Sequence, residues 1–169
     1  MSVTTLYGFD GGGVLVSSME LRNSHGTGPH VWRKLCEKYY GSRHAWLTSE
    51  YKDGPIDRLF RRAEANDLPA DERVALLLTA DGMLIGRAEF SQVADALDRG
   101  MPQDGDGVNH WPTIAQWLRD ALKDERIASF GMHGTSMSED SFCIRDEESK
   151  EEEVTSRGKT IQTLFTAAA

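Results

Sequence analysis

The sequence predicts an α+β fold, in which a small antiparallel sheet formed from an N-terminal hairpin and C-terminal strands packs against about four helices. Three observations predict it. Two β-rich runs open the chain around a glycine turn, amphipathic helical stripes fill the middle, and short strand-like apolar runs return after residue 126. No internal repeat with a period of about 20 to 50 residues is visible, which argues against a solenoid.

Val3 to Phe9 and Val14 to Leu21 are the first two strands, and Asp10-Gly11-Gly12-Gly13 between them accepts the positive φ that a hairpin loop requires. Val31, Trp32, Leu35, Cys36, Tyr39 and Tyr40 then recur at helical spacing, with Arg33, Lys34, Glu37 and Lys38 on the other face and Gly41 as the stop. Asp53 and Gly54 before Pro55 read as an N-cap and a first-turn proline, and Ile56, Leu59, Phe60 and Ala63 form the stripe that follows. The run Arg73-Val-Ala-Leu-Leu-Leu-Thr79 fits a buried strand or a short buried helix, and the preceding Asp71-Glu72 favours helix.

Asp81-Gly82 turns the chain into an extended Met83-Leu84-Ile85. A helix with Phe90, Val93, Ala94 and Leu97 inward stops near Gly100, and Met101 to Val108 is a loop. Pro112 opens a helix carrying Ile114, Ala115, Trp117, Leu118, Ala121 and Leu122. Ile127 to Met132 reads as a strand ending in a His133-Gly134-Thr135-Ser136 turn, with Ser141 to Ile144 as its pairing partner. Pairing of the first and last strands would bring residues 22 to 28 and 131 to 136 to one edge of the sheet.

With 169 residues, 39% apolar and 27% charged, the chain has the size of one ordinary domain, assigned to residues 1–145. Residues 146–169 hold 6 acids and 3 bases and are expected to be an acidic, partly mobile tail, with the block Asp146 to Glu153 solvated as a loop or exposed helix. Ile161, Leu164 and Phe165 are the residues expected to dock back. The sequence lacks a run of the roughly 20 apolar residues that cross a bilayer and a secretory leader at its N-terminus, so a cytoplasmic protein with no membrane association is expected. Cys36 and Cys143 are expected as reduced thiols. The 27 acids against 19 bases give a net charge of −8, which repels a phosphate backbone and argues against direct nucleic-acid binding.

His25-Gly26-Thr27 and His133-Gly134-Thr135 are the two candidate motifs. A His-x-Thr written twice resembles the signature of two-histidine phosphoesterases. The resemblance implies His25 and His133 as base and acid, with Thr27, Thr135 and Ser136 as phosphate ligands. The departures are glycine at both middle positions and a first copy set in a loop that enters a helix. The plainer reading gives Asn23, Ser24 and Thr27 to capping of that helix, whose N–H groups are also suited to an anion.

Metal-ligand spacings such as His-Glu-x-x-His or Cys-x-x-Cys do not occur, and no metal or cofactor is expected. Arg58, Arg61 and Arg62 form a basic ridge at i, i+3 and i+4, interrupted by Asp57 and Glu64. Trp46 and Trp111 fall in expected connections beside His44 and His110, where an aromatic lines a pocket or a partner-binding patch.

Three functional readings follow. The first is a non-catalytic acidic protein that binds another macromolecule, particularly a basic one otherwise occupied by nucleic acid. In being small, acidic and poor in motifs, the chain is similar to accessory proteins of phages or mobile elements, including inhibitors of bacterial defence systems. That similarity assigns no residue. The second is a histidine-dependent phosphoesterase or nucleotide-binding enzyme using both His-Gly-Thr segments. The third is self-association through a sheet edge or through the cluster of Tyr39, Tyr40 and Trp46.

Overall fold

The computed structural model describes residues 2–47, 53–105, 107–134, 140–146 and 149–165. It is an α+β structure. Strands β1 (Val3–Phe9) and β2 (Leu15–Arg22) are followed by helices α1 (Gly28–Tyr40), α2 (Pro55–Glu64) and α3 (Ala70–Leu78). Strand β3 (Leu84–Gly86) leads into α4 (Phe90–Gly100) and α5 (Trp111–Ala121), and the chain closes with β4 (Ser129–Gly134), β5 (Cys143–Arg145), β6 (Glu152–Val154) and β7 (Ile161–Gln162).

The opening hairpin forms where β-branched and aromatic residues dictate it. Its turn is closed by the Asp10 carboxylate, which accepts from the N–H groups of Gly12 at 2.8 Å and Val14 at 2.9 Å. Helix α1 stops at Gly41, whose φ of 69° suits glycine and whose N–H donates to the Glu37 carbonyl. The ambiguous run after residue 72 is helix α3. Its apolar residues run on without a polar face because it is enclosed, with Val74, Ala75, Leu76 and Leu78 all buried.

The main sheet has the order β2-β1-β4-β3-β7. β1 is antiparallel to β2 and β4, so both chain ends meet in it as expected: Thr4 lies opposite Gly134 and Phe9 opposite Ser129. β7 runs parallel to β3, which makes the sheet mixed rather than purely antiparallel. Two local expectations need correction. β4 continues through His133 and Gly134, because both still pair with β1, and the rest of the expected turn, Thr135 and Ser136, lies outside the described residues. Cys143–Arg145 pairs with β6 instead of β4, since β4 already has β1 on one side and β3 on the other.

Side chains alternate across the sheet, and the two faces carry separate cores. Leu6, Leu21, Ile85, Phe130 and Met132 face the helices and join the main core with Trp117, Phe90 and the buried stripes of α1, α3, α4 and α5. Tyr7, Phe9 and Leu84 face the other way and form a second cluster with Phe142. Phe142 stands on Gly131: a Cβ there would lie 2.4 Å from the ring's Cζ, so glycine is required for the approach.

The two layers are tied at the end of α5 by Arg87. Its Nη1 donates to the carbonyls of Ala121 (3.2 Å), Asp124 (2.7 Å) and Ile127 (2.8 Å), and its Nη2 to Leu122 (2.6 Å). A helix terminus leaves carbonyls short of donors; the Asp124 and Ile127 N–H groups reach those of Ala121 and Asp124, and the Arg87 guanidinium serves all four. Leu164 and Phe165 are held similarly. Leu164 is buried in the main core, its N–H donating to the Glu89 carboxylate (2.9 Å) and its carbonyl accepting from Arg73 Nη2 (2.6 Å). Phe165 is partly buried, whereas Ile161, expected to dock, is 54% exposed on the edge strand β7.

Both cysteines are free thiols. Burial pushes the Cys36 thiol up to about 11, so it is protonated at neutral pH and behaves as a small core hydrophobe. Among the described residues no helix is long and apolar enough to cross a membrane.

Candidate functional site

His25-Gly26-Thr27 and the described His133-Gly134 lie at the same end of the sheet, on either side of β1. His25 is exposed on a single 3-10 turn, Ser24–Gly26, where its backbone N–H donates to Asn23 Oδ1. His133 is 5% exposed on β4, directly opposite Thr5, on the face that carries Tyr7. Its Nδ1 is buried and has no hydrogen-bond partner among the described residues.

Thr27 is an interior residue: its hydroxyl donates to the Ser24 carbonyl at 2.7 Å and therefore accepts from Thr4 Oγ1 at 2.8 Å. Thr4 points to the helical face and Thr5 to the other, so Thr27 and His133 sit on opposite sides of the sheet. Thr135 and Ser136 lie outside the described residues.

The loop carrying His25 is braced from below. His110 Nε2 contacts the carbonyls of Arg22 (2.7 Å) and Asn23 (3.1 Å), and His110 N–H donates to the Gly26 carbonyl. Trp111 begins α5 rather than lying in a connection. It is fully buried, and its indole N–H donates to the Thr27 carbonyl at 3.2 Å. Trp46 is half-buried against Trp32, ring centroids 5.9 Å apart.

The arginines of α2 are engaged locally. Arg58 donates to the Asp53 carbonyl, Arg61 pairs with the Asp53 carboxylate, and Arg62 pairs with Asp67 at 2.9 Å while lying over the Tyr39 ring. The fold thus brings Thr4, Thr27 and Trp111 into one interior network and leaves His25, Trp46 and the arginines apart from it.

The feature that the motifs do not announce is the C-terminal cover of the second face. After residue 140 the chain returns over β1 and β4, seating Phe142 between Tyr7 (5.6 Å) and Phe9 (5.4 Å). The Asp140 carboxylate accepts from the Tyr7 hydroxyl at 2.5 Å. Burial, and then the hydrogen bond to Asp140, raise the Tyr7 phenol well above its ordinary value.

A phenol that holds its proton more tightly when folded stabilises fully below the unfolded value near pH 10 and loses that contribution as pH rises above it. Stability of the wild type is therefore expected to fall above about pH 10 more steeply than that of Tyr7→Phe, by up to about 1.4 kcal/mol per pH unit, in denaturant titrations. Parallel slopes would contradict this environment for Tyr7.

β5 and β6 form a hairpin beyond this anchor, with Ile144 opposite Glu153 and Arg145 opposite Glu152. Asp146 closes its turn, its carboxylate accepting from the Ser149 N–H at 2.7 Å and its carbonyl from the Lys150 N–H at 3.0 Å. The return strand is pinned to the first hairpin: Thr155 N–H donates to the Phe142 carbonyl, and the Thr155 hydroxyl and Ser156 N–H both donate to the Gly13 carbonyl. Gly13 has φ 80°, and a Cβ there would meet the Arg157 backbone N at 2.9 Å, so the contact requires glycine.

Residues 146 to 153 contain six carboxylates and one lysine, a net −5 in a chain of net −8, with Glu147 and Glu148 outside the described residues. Glu151, Glu152 and Glu153 are exposed, as is Ile144 at 52%. The result is an apolar side chain set among carboxylates on a hairpin anchored at its base. Among the described residues no group of three or more His, Cys, Asp or Glu side chains is placed to hold a metal ion.

No protein-family model matches the sequence, and neither the curated proteins nor the solved structures give a significant match.

Proposed function

We propose that the chain is a non-catalytic binding protein whose acidic β5–β6 hairpin engages a positively charged macromolecular surface, one that otherwise holds nucleic acid. Occupying such a surface would make it an inhibitor of its partner, the role of an accessory protein of a phage or mobile element. The observation that carries this reading is the concentration of carboxylates on a hairpin seated by Phe142 and tied to Gly13. Arg157 meets Glu153 at 3.4 Å and Arg145 stands opposite Glu152, but the acids still outnumber these bases, so the anchored hairpin favours a partner that neutralises the remaining negative charge. Complementary charge steers association and weakens with salt, while Ile144, exposed opposite Glu153, supplies apolar contact on the same hairpin.

The enzyme reading receives less support. It requires both imidazoles to face one substrate, whereas His25 is open to solvent and His133 is enclosed on the second face.

The test uses an arginine- and lysine-rich peptide as a defined probe. The wild type is expected to bind it with an affinity that falls with salt, and DNA is expected to compete for the peptide. Replacing Glu151, Glu152 and Glu153 together by glutamine should weaken binding by at least about tenfold, a loss of about 1.4 kcal/mol. His25→Ala with His133→Ala should leave it unchanged. Equal binding by the glutamine variant would refute the proposal.

A further inference from the structure

We infer that a cavity beside α3 is a binding site for a small ammonium carboxylate, a free α-amino acid with an apolar side chain being the ligand that uses all of its walls. The cavity measures about 330 Å³ and lies between α2, α3 and the chain end, with Arg73 and Glu64 contributing the charges. The inference is independent of the acidic hairpin.

Arg73 carries the argument. It is 8% exposed, and a buried guanidinium ordinarily has a carboxylate against it. Here no ion pair to Arg73 is found among the described residues. Nη2 donates to the Leu164 carbonyl at 2.6 Å, Nε is buried without a partner, and the nearby Glu89 carboxylate is committed to the N–H groups of Leu164 and Phe165. Removing a permanent charge from water without compensation costs several kcal/mol. Arg73 lines the cavity, and an anionic oxygen pair seated there would give its guanidinium the counter-charge it lacks.

The other walls narrow the class. Leu77 and Met83 give an apolar side, Asn66 and Gln162 give amides, and Glu64 brings a carboxylate that is exposed and forms no ion pair with Arg73. A carboxylate at the wall disfavours a multiply charged anion such as phosphate. A molecule carrying one carboxylate and one ammonium satisfies Arg73 and Glu64 together, while its apolar group covers Leu77 and Met83.

The test is calorimetric titration of the full chain with three probes: L-leucine, 4-methylpentanoate and inorganic phosphate. Leucine is expected to bind most tightly, 4-methylpentanoate more weakly, and phosphate not measurably up to about 10 mM. Arg73→Met should weaken leucine by at least about tenfold. Glu64→Gln should remove the preference of leucine over 4-methylpentanoate.

Because Arg73 also holds Leu164, a second variant, Gln162→Trp, keeps that bond and obstructs the cavity from an exposed position. It should abolish leucine binding with an unchanged melting temperature. Absence of leucine binding, binding that survives both Arg73→Met and Gln162→Trp, or binding of phosphate in preference to leucine would each overturn the inference.

Discussion

Arg87→Met is expected to lower the unfolding free energy by about 3 kcal/mol, among the largest effects of any single substitution outside the apolar core. The guanidinium donates to four carbonyls at the end of α5 and in the turn that leads to β4, and methionine fills the space without replacing a single donor. The Ala121 and Asp124 carbonyls keep the N–H groups of Asp124 and Ile127, but those of Leu122 and Ile127 lose the Arg87 donor where water reaches them poorly, so the loss exceeds that of one exposed hydrogen bond. Arg87 also follows β3 directly, with its own N–H donating to the Ala128 carbonyl, so the damage falls where the helical layer meets the sheet. Urea denaturation monitored by tryptophan fluorescence measures the change. A loss below about 1 kcal/mol would mean that the carbonyls find other partners.

Phe142→Ala should cost about 3 to 5 kcal/mol and should loosen everything beyond it, because the ring is the main apolar contact holding the C-terminal cover to Tyr7 and Phe9. Gly131→Ala should act on the same joint from the other side. Its methyl carbon would stand 2.4 Å from the Phe142 ring, and because Gly131 is backbone in a central strand, the ring must be the part that moves. The pair is informative in combination. With the phenyl ring gone the added methyl has room, so the double variant is expected to be markedly less destabilised than the sum of the two single ones. Strict additivity would show that the two positions do not share a contact.

The local structure of this chain was largely legible because its signals are local. The Asp10 to Gly13 turn, Gly41 as a helix stop and Pro55 as a helix start each state their conformation within a few residues, and all three stand where expected. The meeting of β1 and β4 was also readable, since two strand-like ends flanking a helical middle have few other ways to pair.

What escaped was long-range. Tyr7 and Asp140 are 133 residues apart, and neither is unusual in its own neighbourhood. Gly131 reads as an ordinary strand residue until Phe142 is seen above it. The described glutamates of the acidic block are exposed, as its composition implies, but part of the block is strand β6 rather than a loop or helix, because Val154, Thr155 and Ser156 supply the apolar and backbone contacts that the glutamates lack. The His-Gly-Thr repeat drew attention because it is conspicuous in one dimension. In three dimensions Thr27 spends its hydroxyl on Ser24 and Thr4, and Trp111 spends its indole on Thr27.

The account depends on residues 140–146 and 149–165 being folded onto the sheet so that the acidic hairpin has a fixed base. Backbone hydrogen exchange tests this most directly at Thr155 and Ser156, whose N–H groups donate to Phe142 and Gly13. Exchange slowed by at least about a hundredfold relative to an unstructured peptide, and lost in Phe142→Ala, is the expected result. Exchange of both amides at the unstructured rate in the wild type, with β1 and β4 still protected, would contradict it.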